Sequence, residues 1–201
     1  MPLTLRSSPS SPFARKVRMA AIMLGLTDRI KIETAVTTDP NDTIRRQNPL
    51  GKIPALVLDD GTVMYDSRVI LEYLDALAGG GKIFPVDTGT RFKALVLAAL
   101  GDGIVDAGLL VIYEKRYRPE ETPYKPWLDY QRDKIKRAIE HLESSPPASD
   151  PVTVGSISLA CALGHLDFRK QVDWRPMAPA LVEWLDDFAA KVPAYGETMP
   201  G

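Results

Sequence analysis

Apolar and polar residues alternate at the start of the chain, and Leu3 to Arg6 predicts a short strand. Ser7-Ser8-Pro9-Ser10-Ser11-Pro12 then interrupts regular structure with small residues and prolines. Val17, Ala20, Ala21 and Leu24 recur at helical spacing, with Ser11 at the N-cap, Pro12 at the first helical position and Gly25 as the stop. Ile30 to Ala35 predicts a second strand, and Asp39 to Gln47 a loop or irregular helix. Ala55 to Leu58 and Val63 to Tyr65 flank Asp59-Asp60-Gly61-Thr62, and Asp-Gly between two apolar runs predicts a hairpin. Helical spacing resumes through Val69, Ile70, Tyr73, Leu74 and Leu77.

The pattern changes after Gly79-Gly80-Gly81. Residues 80–89 show little periodicity and read as a linker between a first domain, 1–79, and a second, 90–201. The second half predicts helices only: about Thr90 to Glu114, Pro126 to Leu142, Thr153 to Phe168 and Ala178 to Ala190. Gly101, Gly103 and Gly108 fall inside the first of these, where each costs about 1 kcal/mol relative to alanine. Glycines at that cost predict close packing or a kink.

Composition narrows the function classes. Lys and Arg number 25 against 26 Asp and Glu, so no global field recruits nucleic acid or an anionic membrane. One cysteine, Cys161, rules out an internal disulfide and fits a reducing compartment, hence a cytoplasmic protein. With only His141 and His165 beside it, no Cys/His metal site is expected. No apolar stretch is read as membrane-spanning, and no secretory leader is seen.

The chemistry concentrates between Asn48 and Ser67. Pro54 opens a strand and is a candidate for a cis bond, which leaves the backbone of Ile53 available to an extended peptide. Asp66 and Ser67 begin a helix, and a helix start seats a carboxylate through its unpaired N–H groups. One short stretch therefore offers a backbone edge for a peptide and an anion seat beside it.

Ser-Pro-Phe-Ala-Arg-Lys-Val-Arg at 11–18, Asn-Pro-Leu-Gly-Lys-Ile-Pro-Ala-Leu at 48–56, Tyr-Asp-Ser at 65–67 and the helical second half resemble the soluble glutathione transferase family, in a serine-type, YibF-like bacterial branch. The resemblance implies an α/β thioredoxin-like amino-terminal domain in the order βαβαββα, an all-α helical carboxy-terminal bundle and a homodimer active in detoxification. It implies glutathione as co-substrate, bound by the first domain, with its sulfur facing a small electrophile in a cleft. Ser11 then takes the thiol-activating position, with Ser8 and Ser10 as alternatives in the same turn. Ile53, before Pro54, pairs with the cysteinyl backbone, Asp66 and Ser67 hold the γ-glutamyl end, and Lys52 lies near the glycyl carboxylate. Asp102 matches an aspartate that reaches glutathione across a dimer, and Phe13, Asp106 and Tyr113 are candidates for the second-substrate pocket. A glutathione-dependent reductase or peroxidase, or a non-catalytic binding protein, shares these residues. The family's acid at the start of the central helix is replaced by Ser156, which weakens the expected capping box there.

Overall fold

The apolar alternation at the amino terminus becomes strand β1 (Leu3–Ser7), and the pattern after the serine-proline turn becomes helix α1 (Pro12–Met23). The computed structural model describes residues 3–119, 122 and 124–200. These divide into two units, one built from the residues up to Ala94 together with those from Val192 onward, the other from Leu95 to Lys191.

In the first unit β2 (Ile30–Thr34), α2 (Ile44–Gln47), β3 (Ala55–Val57), β4 (Val63–Met64) and α3 (Ser67–Leu77) complete the order βαβαββα. The sheet runs β2-β1-β3-β4. β1 and β2 are parallel, and α1 is the crossover that a parallel pair requires. β1 with β3, and β3 with β4, are antiparallel. Leu5 and Leu56 face each other in register, and both are fully buried. α1 packs against α3, with Val17, Ala20, Ile70, Leu71 and Leu74 wholly removed from solvent.

A polar cluster around the buried Arg6 ties β1 to α2 and the turn before it. Arg6 donates to Thr43 Oγ1, to Gln47 Oε1 at 2.6 Å and to Asp42 Oδ1 at 2.9 Å. Asp42 also accepts the N–H groups of Val36 and Ile44 at 2.6 and 2.8 Å. These charge-assisted bonds hold the Asp42 carboxyl below its usual range, the two backbone donors acting first and Arg6 after them.

Residues 80–89, expected as a linker, are anchored to α3 instead. The Asp75 carboxylate, 4% exposed, accepts the N–H groups of Gly81, Lys82 and Ile83 at 2.8 to 2.9 Å. Ile83 and Phe84 are buried as a result. Asp87 then starts α4 (Thr88–Tyr117), accepting from the Thr90 N–H and hydroxyl, both at 2.8 Å.

The second unit contains most of α4 with α5 (Lys125–Ser144), α6 (Val154–Arg169) and α7 (Pro179–Lys191). α6 is buried continuously from Val154 to Leu166, which is why its sequence lacks a polar stripe. Gly101 explains itself by contact: a Cβ there would meet the Ser158 carbonyl carbon at 2.9 Å, so α4 and α6 touch backbone to backbone. A Cβ on Gly103 would meet nothing within 4 Å. Glu143 caps α7 across the unit, accepting the N–H groups of Ala180 and Leu181 at 3.1 and 3.0 Å. Ser156 does reach back as a capping-box residue: its hydroxyl accepts the Thr153 N–H at 2.8 Å, so a serine serves where an acid was expected. α4 also has the length and composition of a spanning helix, with an 18-residue window of mean hydropathy 2.1. No membrane-spanning stretch was expected from the sequence; a helix of this length and composition is also what the core helix of a soluble protein shows.

The chain ends differently from the expected second domain. α8 (Pro193–Glu197) belongs with the first unit and packs on α1, because Arg15 of that helix bonds to residues 195, 198 and 199.

Candidate functional site

Strand register gathers the candidate residues of the first unit at one end of the sheet. β1 leads out through Ser7 into the serine turn, and its Arg6 lies opposite Ala55 of β3. Ala55 directly follows Ile53-Pro54, so that dipeptide enters the sheet beside the turn that precedes α1. On the other side of β3, Leu56 faces Met64 of β4, which places Tyr65 and Asp66 beyond the same edge. The amino-terminal ends of α1 and α3 therefore open on the end of the sheet where Ile53 lies.

Among the serines of the turn, Ser11 is the one that caps α1. Its backbone is extended, its side-chain oxygen accepts the Ala14 N–H at 3.2 Å, and its own N–H bonds to the Ser8 carbonyl at 3.1 Å. Ser8 and Ser10 lie hydroxyl to hydroxyl at 3.4 Å. Ser11 is half-buried, as is Phe13, whose ring has the Lys16 ammonium 5.5 Å from its centre.

The loop from 48 to 54 is built on Asn48, a residue to which the sequence pattern alone assigns no role. Asn48 is 2% exposed, its Nδ2 donates to the Lys52 carbonyl at 2.8 Å, and its Oδ1 accepts the Leu50 N–H at 3.0 Å. Gly51 follows at φ 62°, a left-handed position that suits glycine. The signal was present, since Asn and Gly around a proline are turn residues and Asn bonds to nearby backbone. Lys52 is exposed, and Ile53 is half-buried against Ala35, Ile44 and Ala55. Pro54 is buried and the Ile53–Pro54 bond is cis, as are Tyr65–Asp66 and Asp150–Pro151. Strand pairing begins only at Ala55, so Ile53 lies ahead of the ladder.

Asp66 is the N-cap of α3, with Oδ1 accepting the Arg68 N–H at 2.9 Å, and its side chain is exposed. Ser67 opens the helix and is 2% exposed. An exposed carboxylate beside unpaired helix N–H groups can meet an ammonium and a carboxylate side by side. That is the pair of charges an α-amino acid carries.

Asp102, Asp106 and Tyr113 are on the portion of α4 that belongs to the second unit. Asp102 is buried, Asp106 exposed and Tyr113 40% exposed, its ring edge-on to Tyr117 at 5.7 Å. Cys161 is buried on α6. No group of three or more His, Cys, Asp and Glu side chains able to hold a metal occurs among the described residues.

Comparison with known proteins bears on both units. Residues 10–77 match the family model described as glutathione S-transferase, N-terminal domain, and residues 114–187 the one described as glutathione S-transferase, C-terminal domain. The chain is similar to the Escherichia coli K12 protein named "Uncharacterized GST-like protein YibF", at 31% identity over 98% of each chain. It is similar as well to a glutathione transferase family member from Pseudomonas fluorescens Pf-5 solved with bound glutathione, at 42% identity, TM-score 0.93 and 99% coverage of both chains. A second structure described in the same words holds S-(propanoic acid)-glutathione, at 42% identity and TM-score 0.89, with 99% of this chain and 100% of that one covered.

Proposed function

The chain belongs to the glutathione S-transferase family, and from that premise we propose that it is a glutathione transferase that ionises the bound tripeptide at Ser11 and joins its sulfur to a small electrophile. One observation carries the reading. The register Arg6 to Ala55 and Leu56 to Met64 brings the capped start of α1, the unladdered Ile53 and the start of α3 to one end of one sheet.

The division of labour follows from the donors and acceptors present. The backbone of Ile53 pairs with the cysteinyl residue in the manner of an added strand. Asp66 meets the γ-glutamyl ammonium, and Ser67 with the N–H groups of α3 meets its carboxylate. Lys52, exposed at the neighbouring loop, answers the glycyl carboxylate.

Ser11 acts on the sulfur. A hydroxyl has one proton to give and lone pairs to accept with, so Ser11 can hold the Ala14 N–H and donate to sulfur at once. A free thiol has a pKa of about 8.5 and is largely protonated near neutrality, whereas thiolates are stabilised at helix N-termini. The thiol proton passes to solvent and the sulfur lone pair forms a C–S bond. The electrons displaced leave with a leaving group or, in a conjugate addition, accept a proton from water. Such a thioether is the kind of compound bound by the Pseudomonas fluorescens relative.

The family's homodimer is part of the same reading, supported by the exposed apolar side chains of Leu50, Val69 and Phe92 in the first unit. The single buried Cys161 suits a reducing, cytoplasmic setting.

Isothermal titration with glutathione, followed by a chloro-dinitrobenzene conjugation assay of wild type and Ser11→Ala, tests the proposal. Micromolar to millimolar binding is expected, with turnover that falls in the variant. Absence of binding, or turnover indifferent to Ser11, overturns it.

A further inference from the structure

β2 is the outer strand of the sheet, and among the described residues no strand pairs with its far edge. Its pairing to β1 runs unbroken from Leu3–Ile30 to Ser7–Thr34, and the Ala35 N–H extends it by donating to the Ser7 carbonyl at 2.9 Å. Successive residues of a strand turn their N–H and C=O groups to opposite edges. Lys31 and Glu33, in step with Ala35, therefore turn theirs inward to β1, and Ile30, Ile32 and Thr34 turn theirs outward. The Thr34 carbonyl receives one long bond from Arg6 Nη2, at 3.4 Å, and keeps a second lone pair.

An open edge of this kind is a template for another strand, and proteins ordinarily blunt it with a charged side chain, a proline or a bulge. β2 has no proline and no bulge, and its two charges cancel. Lys31 Nζ lies 2.8 Å from Glu33 Oε1, at side-chain exposures of 63% and 41%. Lys31 holds the Glu33 carboxyl below its ordinary range, so both charges are in place at neutral pH. Between them Ile32 is 56% exposed.

The segment Ile-Lys-Ile-Glu-Thr is its own complement when reversed about Ile32. An antiparallel second copy centred there sets Ile32 against Ile32 and Ile30 against Thr34. All of these face their backbone groups outward, so they are the pairs that exchange both hydrogen bonds. Lys31 then lies opposite the second copy's Glu33, and Glu33 opposite its Lys31, at the non-hydrogen-bonded positions where side chains approach more closely. Each ion pair meets its own reverse. Sliding the copies by two residues sets Lys31 against Lys31 or Glu33 against Glu33, and sliding by one sets inward groups against outward ones. The centred register alone satisfies both the backbone and the charges.

We propose that the open edge of β2 is a self-association surface, to which a second copy of this chain adds antiparallel about Ile32 and joins two four-stranded sheets into one. The contact uses none of Leu50, Val69 and Phe92, the residues offered for the family's dimer, and it does not depend on the chemistry at Ser11.

The test is sedimentation velocity of the full-length protein from about 1 μM to about 1 mM, the range in which a contact smaller than a standard interface associates. Wild type should show a concentration-dependent step to twice the mass of its smallest species, weakened by added salt because the paired charges are exposed. Lys31→Glu and Glu33→Lys each turn two attractive cross-strand pairs into repulsive ones and should weaken association by about tenfold or more. An equimolar mixture of these two variants restores opposite charges across the edge and should regain the step, as should the double variant Lys31→Glu/Glu33→Lys on its own. Ile32→Pro removes an outward N–H that β1 does not use, so it should keep the fold and lose the step. A wild type of one mass throughout the range overturns the proposal. So does a step that neither charge reversal weakens, or one that the mixture fails to restore, because another surface or another register is then at work.

Discussion

The Ser11 hydroxyl and the Ala14 N–H are joined at 3.2 Å, so one residue both closes the first turn of α1 and faces the end of the sheet where Ile53 lies. Capping and chemistry can be separated by substitution. Ser11→Ala should destabilise the protein by about 1 kcal/mol, Ser11→Gly by only a few tenths. On the proposal that Ser11 donates to the sulfur, both variants should lower conjugation by roughly ten- to a hundredfold. Thermal melts and steady-state rates on the two variants check this. Rates that track stability instead of the missing hydroxyl would reduce Ser11 to a cap.

Asn48 holds the loop that presents Ile53. Asn48→Ala leaves the Leu50 N–H and the Lys52 carbonyl without their partner, at about 1 to 3 kcal/mol, and should raise KM for glutathione more than it lowers kcat. Asn48→Asp can still accept from Leu50 but cannot donate to Lys52, and should fall between the two. Steady-state kinetics at varied glutathione concentration separate the parameters.

The two glycines two residues apart on α4 should respond oppositely to alanine. Gly101→Ala drives a methyl into the Ser158 backbone and should cost about 1 to 3 kcal/mol. Gly103→Ala meets open space and should gain up to about 1 kcal/mol in helix propensity. Calorimetric melting temperatures moving in the same direction would refute the close α4–α6 contact.

Asp75 should be among the most sensitive positions outside the candidate site. Asp75→Ala strands three backbone N–H groups at the start of 81–83, two of them donors to the same oxygen, and should cost about 3 kcal/mol or more. Denaturant midpoints provide the measurement.

Asp42 sets part of the acid limb of stability. Its carboxyl is held below the ordinary value of about 3.9 by the Ile44 and Val36 N–H groups and by Arg6. A group depressed on folding stabilises fully above its unfolded pKa, and that contribution is lost as pH falls through the folded value. Between about pH 5 and pH 2 stability should therefore decline more steeply in wild type than in Asp42→Asn. That variant should be the less stable of the two at pH 7.

The element order was legible because period-two and period-3.6 patterns alternate cleanly through residue 77, and the Asp-Gly hairpin fixes β3 and β4. Helix spacing likewise located α4 to α7 to within a few residues. Two features lay outside what a local pattern holds. Residues 80–89 read as a linker because their order comes from a carboxylate six to eight residues upstream, which no periodicity records. The placement of 192–200 depends on bonds across some 180 residues, made by an arginine whose sequence neighbourhood looks like any basic helix. At the candidate site, Ser11, Pro54, Asp66 and Ser67 carry turn and cap signals that can be read in place. Asn48 was visible as part of a motif but not as its keystone, since only the fold shows which backbone groups its amide reaches.

The tie between Arg15 and residues 195–199 makes the first unit discontinuous in sequence, with the whole of the second inserted within it. During synthesis the helices from Leu95 to Lys191 emerge as one uninterrupted stretch, whereas α1 must wait for residues 195–199 before its buried cation finds acceptors. Maturation of the sheet-bearing half thereby follows synthesis of its helical guest, which has had its chance to form first.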